Sequence, residues 1–400
     1  MRITLIVPTF PKTSETFIVN KFLGLVTLGH EVNVVCSSSP DWHHFPHLLE
    51  QKKTIQKQIR LSPRTSILHV LIWLPILLIE AILSRPIYTW RYFKQGWRRF
   101  GWAILRQFYV DAPILQTQPD LIHFEFGALA VNRTYLGDLL NAKIVVSFRG
   151  YDINYVGLDQ PNYYAEIWGK AHGIHCLGND IWQRVQQRGC PSHKLHTLIA
   201  PAIDTTIFSP KHTEAPANSP ILRVLSVGRL EWKKGYEYAL KAIQLLQAQG
   251  HKVEYRIIGD GQYLEAIAFC RHELGLDDCV TLLGKLPQHE ILEHLEWADV
   301  FLHAAVSEGF CNAVLEAQAM QVPVVTSDAD GLRENVEDGV TGFVVPRRNP
   351  EAIAEKLITL QDADLRLRMG QAGRARVVSQ FTLTEQIQSF NHFYSEVLSQ

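Results

Sequence analysis

Short runs of apolar residues, rich in Val, Ile and Leu, recur along the chain and predict β-strands. Most of them are apolar throughout and do not alternate, which is typical of parallel strands covered on both faces. Stretches long enough for helices separate several of the runs. Strands are predicted at Ile3–Val7, Glu31–Cys36, Leu121–Phe126, Lys143–Phe148, Gly173–Leu177, Leu222–Val227, Val253–Ile258, Val280–Leu283, Val300–Ala304, Val322–Thr326 and Gly342–Val345. This repetition predicts an α/β protein with doubly wound parallel sheets.

A proline-rich segment divides the strands into two series. Residues 209–220 read SPKHTEAPANSP and have no hydrophobic periodicity, which is typical of a linker. A long loop inside one domain is the alternative. We predict an N-terminal domain over 1–208, a C-terminal domain over 221–380, and a last helix over 381–400. The apolar residues of that helix are spaced for one face: Phe390, Phe393, Tyr394 and Val397.

One apolar segment departs from the strand and helix pattern. Ile67–Leu83 is a run of 17 residues that contains Pro75 and Glu80. As a helix it would be about 25 Å long, shorter than the roughly 30 Å core of a bilayer. Cationic and aromatic residues alternate directly after it, as suits the lipid headgroup layer. We interpret residues 67–102 as a membrane-docking segment that does not span; a buried helix followed by a solvated basic helix is the alternative.

Composition and charge narrow the functional classes. The 400 residues are 46% hydrophobic and 20% charged, enough for more than one sizeable core. With 39 Lys and Arg against 40 Asp and Glu, the chain lacks the basic surplus of a protein that coats nucleic acid. None of the six cysteines forms a C-x-x-C pair, which indicates free thiols in a reducing compartment. The apolar run before Pro8 is too short for a signal peptide, so we expect a cytoplasmic protein.

The densest motif, SEGFCNAVLE, begins at Ser307 after a predicted strand and leads into a predicted helix. Glu308 falls in the turn and Glu316 inside the helix, where carboxylates can accept hydrogen bonds from sugar and ribose hydroxyls. Asn312 is the expected N-cap, and the free N–H groups at such a helix start suit a diphosphate. Gly309 would let the backbone approach a ligand closely. An ordinary helix start with acids favoured by the dipole is the alternative.

Two other turns also follow predicted strands. The segment VGRLEWKKG places Arg229 and Lys234 between a strand end and a helix start. Ligands of open α/β sheets bind at the carboxyl ends of strands, where two cations could neutralise a diphosphate. The turn Gly259–Gly261 would shape the same edge. A solvated basic turn is the alternative for the two cations.

These motifs, in this order, resemble glycosyltransferase family 4. The family consists of retaining enzymes that use nucleotide sugars and have the GT-B fold, two Rossmann-like domains that face a cleft. The resemblance covers nearly the whole chain and is strongest from Leu222 to Pro346. It implies that the last helix crosses back to the N-terminal domain. The matching residues are Gly228-Arg229-Leu230, Lys234-Gly235, Gly259-Asp260-Gly261, Glu308-Gly309-Phe310, Glu316, Gly331-Leu332, Glu334, Gly339 and Gly342.

The resemblance implies a donor site in the C-terminal domain. Glu308 corresponds to the glutamate that contacts the donor sugar, and Glu316 to the one that binds the ribose hydroxyls. Arg229 and Lys234 correspond to the pair that stabilises the departing diphosphate. Backbone groups would complete the site: Phe310 and Cys311 for sugar hydroxyls, Asn312 and Ala313 for the diphosphate, and Gly284, Lys285 and Leu286 for the base.

The resemblance places the acceptor in the N-terminal domain. The segment PTFPKTSETFI, from Pro8, resembles a subgroup active in exopolysaccharide assembly such as the colanic acid pathway. Physically it is a strand-to-helix loop, with Thr13 or Ser14 as N-cap and Glu15 in the first turn.

Two positions where relatives often carry histidine hold other residues here, Glu125 and Arg149, the second being part of the segment that ends at Asp152. A guanidinium cannot act as a base at neutral pH, so Arg149 would add positive charge near the leaving phosphate or donate to a sugar hydroxyl. His123 and Glu125 point to one face of a strand. They could orient the acceptor or serve as hydrogen-bonded structural groups.

No metal or cofactor is expected. His43, His44 and His47 have a helical spacing, but Pro46 interrupts it, and the chain has no Asp-x-Asp triplet. The expected activity is transfer of a hexosyl group from a nucleotide diphosphate sugar to a saccharide or lipid-linked saccharide, in the cytoplasm at the inner face of the membrane, without nucleic acid. The alternatives are a nucleotide-sugar epimerase, a GT-B enzyme with a soluble acceptor, and a non-catalytic sugar-nucleotide-binding protein.

Overall fold

The computed structural model describes residues 1–12, 15–40, 42, 45, 48, 52–63, 66–211 and 219–400. The expected N-cap residues Thr13 and Ser14, the histidines His43, His44 and His47, and most of the predicted linker lie outside the described residues. The chain forms two compact units. The first consists of Met1–Cys176, Trp182–Ile199 and Ile387–Gln400, and the second of Leu177–Ile181 and Ala200–Gln386.

The first unit contains a seven-stranded parallel sheet in the order β3-β2-β1-β4-β5-β6-β7. Chain order reverses between β1 and β4, so the loops that leave these two strands diverge at a topological switch point. Val, Ile and Leu side chains of β1, β2 and β4 are buried on both faces. The strands are β1 Arg2–Ile6, β2 Glu31–Cys36, β3 Ile59–Leu61, β4 Leu121–Phe124, β5 Lys143–Phe148, β6 Gly173–Cys176 and β7 His196–Leu198.

The helices that begin before Asp204 accompany this sheet in chain order. They are α1 Thr16–Thr27, α2 Lys52–Gln58, α3 Ile67–Ser84, α4 Pro86–Phe100, α5 Ile104–Leu115, α6 Gly127–Ala130, α7 Tyr135–Leu140, α8 Gly150–Tyr155, α9 Ala165–Lys170 and α10 Asn179–Gln187.

The second unit contains a six-stranded parallel sheet in the order β10-β9-β8-β11-β12-β13. Here chain order reverses between β8 and β11. The strands are β8 Ile221–Val227, β9 Lys252–Ile258, β10 Val280–Gly284, β11 Val300–His303, β12 Val324–Ser327 and β13 Gly342–Val345. The remaining helices are α11 Tyr236–Ala248, α12 Leu264–Glu273, α13 Gln288–Trp297, α14 Asn312–Ala319, α15 Leu332–Asn335, α16 Pro350–Thr359, α17 Ala363–Gln380 and α18 Leu383–Ser399.

The predicted fold class is confirmed, since both sheets are parallel and strands alternate with helices. All eleven predicted strands are present within a few residues of their expected bounds. Strands β3 and β7 were not predicted; each has three residues and lies at an edge of its sheet. The apolar face predicted for the last helix also exists, because Phe390, Phe393, Tyr394 and Val397 are all buried in the first unit's core.

Helix α3 lies on the surface of the first unit, and none of its residues is buried. The alternative of a buried helix at this position is therefore wrong. Within the described residues, α3 is the one helix whose length and apolar composition would allow it to cross a membrane. The basic helix α4 behaves differently, because it buries Thr89, Tyr92 and Gly96.

Candidate active site

The two richest sequence motifs meet at the switch point of the second unit. Strands β8 and β11 are paired neighbours, and the loop that leaves each strand carries one of the motifs. Backbone N–H groups of Val306 and Ser307 donate to the Lys233 carbonyl at 2.8 and 3.3 Å, which joins the loops. Gly235 has a positive φ of 65°, and a Cβ there would lie 2.2 Å from the Ala304 carbonyl oxygen. Only glycine therefore fits where the loops touch.

Glu308 and Lys234 form an ion pair at this point. The Lys234 ammonium contacts Glu308 Oε2, and the two side chains are only 11% and 16% exposed. Burial alone would raise the pKa of Glu308, but the charges of Lys234 and His303 together lower it well below its ordinary value. Glu308 is consequently an ionised hydrogen-bond acceptor at any pH near neutral, and cannot serve as a proton donor.

A third loop holds the Glu308 turn in place. The Asp330 carboxylate accepts hydrogen bonds from Ser307 Oγ at 2.6 Å and from the Glu308 N–H at 3.1 Å. Arg347 in turn pairs with Asp330 at 3.3 Å. A Cβ on Gly331 would lie 1.9 Å from the Gly309 carbonyl oxygen. These contacts fix where the Glu308 carboxylate lies, and they explain why a glycine follows Asp330.

The helix after this turn starts without a side-chain cap. Cys311, and not Asn312 as predicted, occupies the N-cap position of α14, and no side chain accepts a hydrogen bond from the first N–H groups. The prediction of Asn312 was wrong because Asn335 holds Cys311 through both its N–H and its carbonyl, at 3.1 and 3.0 Å, and so sets the start one residue earlier. Uncapped N–H groups at a helix start bind anions.

Glu316 lies on α14, one turn after Asn312 and Ala313, and all three residues are half-buried. Burial raises the pKa of Glu316 to about 7. Its charge therefore changes close to physiological pH, unlike that of Glu308. A group of this kind responds to ligands that donate hydrogen bonds to a carboxylate.

His303, the last residue of β11, was not predicted as a site residue. Ligand atoms of His303, Glu308 and Cys311 all lie within 4.8 Å of one another, a nitrogen, oxygen and sulfur set that could hold a metal ion. However, His303 Nε2 faces the same Glu308 oxygen that Lys234 contacts, at 3.6 Å. A metal ion would have to displace the Lys234 ammonium from that oxygen.

The same three groups shift one another's protonation. Burial would raise the pKa of Cys311, but His303 and Lys234 lower it below its ordinary value. Burial would lower the pKa of His303, but Cys311 and Glu308 raise it. Strand hydrophobicity concealed His303, which ends an otherwise apolar strand; its place at the switch point was the one available signal.

The remaining cation and the G-D-G turn lie beside this pair. Arg229 is 64% exposed, pairs with Glu231 at 2.7 Å, and is close enough to Lys234 to oppose its protonation. A Cβ on Gly259 would lie 1.8 Å from the Gly228 carbonyl oxygen, and one on Gly261 would lie 2.3 Å from the carbonyl of Leu230. The two motifs are thus packed backbone to backbone.

The segment expected to contact the base begins at the end of the edge strand β10. Gly284 has a positive φ of 71°, and its carbonyl accepts the N–H of Gly259 at 2.8 Å. Lys285 and Leu286 follow in the loop at the carboxyl edge of the sheet. This edge also bears the Gly228 and Glu308 turns.

In the first unit, three of the residues expected on the acceptor side have internal partners. His123 is 0% exposed and hydrogen-bonds through Nδ1 to the Tyr394 hydroxyl at 2.6 Å and through Nε2 to Ser147 at 2.7 Å. Asp152 accepts from the Ala128 and Arg149 N–H groups at 3.1 and 3.3 Å. The structural interpretation therefore applies to His123, and Asp152 caps α8.

Glu125 is also 0% exposed and holds two cations. Its Oε1 contacts the ammonium of the buried Lys21, and its Oε2 lies 3.2 Å from the Arg149 guanidinium. Arg149 also lies over the Phe17 ring, 4.0 Å from its centre. Glu125 is therefore a structural counter-ion and is closed to direct contact with an acceptor, whereas Arg149 is 11% exposed.

Glu15, the last of the acceptor-side predictions, forms an ion pair with Lys12 at 2.5 Å. Its side chain is 12% exposed. Sequence reasoning missed Lys21, which is surrounded by apolar residues of α1 and shows its role only through Glu125, far away in the sequence.

Comparisons with known proteins agree with this arrangement. Residues 210–376 match the family described as glycosyl transferases group 1. The chain is 30% identical over 386 residues to a protein of Salmonella typhimurium named as the colanic acid biosynthesis glycosyltransferase WcaL, with 91% of each chain covered. It is 28% identical over 399 residues to the amylovoran biosynthesis glycosyltransferase AmsK of Erwinia amylovora, covering 95% of this chain and 96% of that one.

Solved structures share the whole fold. Anabaena Alr3699/HepE in complex with UDP and glucose matches with a TM-score of 0.73 and 17% identity, covering 99% of this chain and 100% of that one. A glycosyltransferase from Rickettsia africae matches with a TM-score of 0.71 and 18% identity, covering 99% and 98%. The two parallel α/β units have the GT-B architecture, and the chain belongs to the glycosyl transferases group 1 family.

Proposed function

We propose that this chain is a retaining hexosyltransferase of exopolysaccharide biosynthesis. It would move a hexosyl group from a nucleoside diphosphate sugar to a saccharide or lipid-linked saccharide acceptor, at the cytoplasmic face of the membrane. The observation that carries the proposal is the Lys234–Glu308 pair beside the uncapped start of α14. The relatives named for colanic acid and amylovoran biosynthesis support the pathway class.

Negative charge builds on the diphosphate as the bond to the anomeric carbon breaks. Lys234 and the first N–H groups of α14 would stabilise that charge, and Arg229 would add a second cation after turning from Glu231. Because these donors are fixed by the fold, little reorganisation accompanies the reaction. Glu308 remains ionised and would accept hydrogen bonds from donor-sugar hydroxyls, while Glu316 would accept from the ribose.

Proton transfer and metal use follow from the same groups. The leaving phosphate, held by Lys234, would take the proton of the acceptor hydroxyl on the face from which it departs, which accounts for retention. Lys234, Arg229 and the helix start supply the positive charge that a divalent metal provides elsewhere. We therefore propose a reaction without metal or cofactor.

A transfer assay tests the proposal. The full chain is incubated with UDP- and GDP-hexoses and saccharide acceptors in the presence of a chelator, and the anomeric configuration of the product is read by NMR. We expect turnover with retained configuration, and its loss in Glu308→Gln but not in the control Glu265→Gln. An inverted product or an absolute metal requirement would overturn the mechanism. Tight nucleotide-sugar binding with no turnover on any acceptor would favour a non-catalytic binding protein.

A further inference from the structure

Helix α3 presents an apolar surface along its whole length. Its 18 residues span about 27 Å. Outward-facing side chains such as Leu68, Leu71, Ile79 and Leu83 are 66%, 68%, 59% and 78% exposed. Large contiguous apolar patches on a protein surface mark binding to another apolar phase or molecule. The surface therefore needs an occupant.

Helix α3 lies flat on the first unit and does not project from it. It packs against α4 and α5. Polar contacts fix its carboxyl end: Thr89 Oγ1 donates to the Ala81 carbonyl at 2.9 Å, and Gln116 Nε2 donates to Glu80 at 3.2 Å. Crossing a bilayer would break these contacts. An occupant that extends as a plane beside the helix keeps them.

The chain after α3 carries positive charge and tryptophan. Between Glu80 and Asp111 there are six Lys and Arg residues and no acidic residue. Trp90, Trp97 and Trp102 are 63%, 47% and 79% exposed. Exposed indoles and cations beside an apolar helix match the layered chemistry of an anionic lipid surface. In a symmetric contact with a second copy, the cationic margins would face each other and repel.

A groove of about 1130 Å³ opens beside α4. Among the described residues, Lys94, Arg98 and Lys143 form no ion pair with a carboxylate, and the one acid at the rim, Asp138, is paired with Lys170 at 2.7 Å. The groove lining includes Trp90, Arg91, Lys94, Arg98, Lys143 and His172.

His172 adds a hydrogen-bond donor to this groove. Its Nδ1 accepts the N–H of Ile144 at 3.1 Å, which leaves the ring proton of the neutral imidazole on Nε2. Unpaired cations together with a donor and an indole ring suit a phosphate group that is attached to an apolar body. The groove and the α3 surface thus ask for the same kind of ligand.

The groove lies away from the expected acceptor residues. Lys143 begins β5 and His172 precedes β6, so the groove is at the amino ends of these strands. Glu125 and Arg149 follow the carboxyl ends of β4 and β5, at the opposite edge of the same sheet. Phosphate held in the groove is therefore not the acceptor's reacting end.

We propose that α3 and α4 form a monotopic anchor for an anionic phospholipid bilayer, with α3 at the acyl boundary and lipid phosphates in the groove. The anchor does not depend on the sugar-transfer chemistry proposed above. Vesicle binding and sugar transfer can therefore fail separately.

Flotation of the full chain with vesicles tests the anchor. The vesicles contain phosphatidylcholine alone or with phosphatidylglycerol. We expect binding to the anionic vesicles, weakened about 30-fold by Lys94→Gln with Arg98→Gln, at about fivefold for each charge lost. Leu71→Glu with Ile79→Glu should weaken binding to both kinds of vesicle, because it removes the apolar contact.

Matched controls lie in the second unit. Lys241→Gln with Lys252→Gln removes two exposed cations, and Phe269→Glu alters an exposed apolar side chain; neither should change flotation. Wild-type protein that stays unbound with anionic vesicles would overturn the proposal, as would groove variants that float like wild type. Displacement by soluble glycerol phosphate at low concentration would assign the groove to a free anion instead. Self-association abolished by Leu71→Glu, without vesicle binding, would assign the surface to a second copy.

Discussion

At the level of single residues, the chemistry depends on two glutamates with opposite protonation behaviour. Glu308 has its pKa lowered by Lys234 and His303, so it stays charged. Glu316 has its pKa raised to about 7 by burial. The sequence alone identified both carboxylates, because an acid before a glycine turn and another inside the next helix have a recognisable spacing. It did not show how differently they ionise, since that depends on neighbours from other loops.

Replacing Lys234 tests the role of its charge. Lys234→Ala should lower kcat/KM roughly 10²–10³-fold, because the charge on the departing diphosphate loses its nearest cation. Steady-state kinetics with donor and acceptor would measure the loss. Lys241→Ala, an exposed lysine on α11, is the matched control and should behave like wild type. An unchanged kcat/KM in Lys234→Ala would remove Lys234 from the reaction.

The pH dependence of donor binding tests Glu316. The carboxylate accepts hydrogen bonds from the ribose, and protonation removes that capacity. Because the pKa of Glu316 is about 7, the donor KM should rise as the pH falls through 7 and level off above it. In Glu316→Gln the KM should be high and no longer follow pH over this interval. A wild-type KM that is flat across pH 7 would contradict the assignment.

At the level of elements, continuous apolar runs made the strands predictable, because parallel strands buried on both faces leave no room for polar residues. Strands β3 and β7 escaped prediction because short edge strands are exposed on one side and carry a mixed sequence. The N-cap of α14 was misassigned since Asn335, a residue from another element, decides where that helix starts. Tertiary contacts therefore account for both errors.

The last helix is joined to the first unit's sheet by a buried hydrogen bond. Tyr394→Phe removes the partner of His123 Nδ1, a group with no access to water. We expect the free energy of unfolding to fall by about 1–3 kcal/mol, measured by urea denaturation. Tyr151→Phe, at a 64% exposed position, is the control and should change it by less than about 0.5 kcal/mol. Equal stability of both variants would show that the bond contributes nothing.

For the whole molecule, the sequence predicted two parallel α/β units and the motifs that gather at one switch point. Topology explains this success: once strand order reverses between β8 and β11, the loops that leave them must share an edge. Lys21, His303 and the groove beside α4 could not be predicted, because each acquires its meaning from residues distant in sequence. The exposed face of α3 was foreseen from composition, since an apolar helix followed by a basic aromatic one suits a lipid surface.

Calorimetric binding of UDP-, GDP- and ADP-sugars, without added metal, tests the donor site most directly. Wild type and Glu316→Ala are compared, with Glu265→Ala, on the exposed side of α12, as the matched control. We predict that one nucleotide class binds to wild type and to the control, and that Glu316→Ala weakens this binding at least tenfold. A folded protein that binds none of these sugars, or binds them equally well after Glu316→Ala, would contradict the site described here.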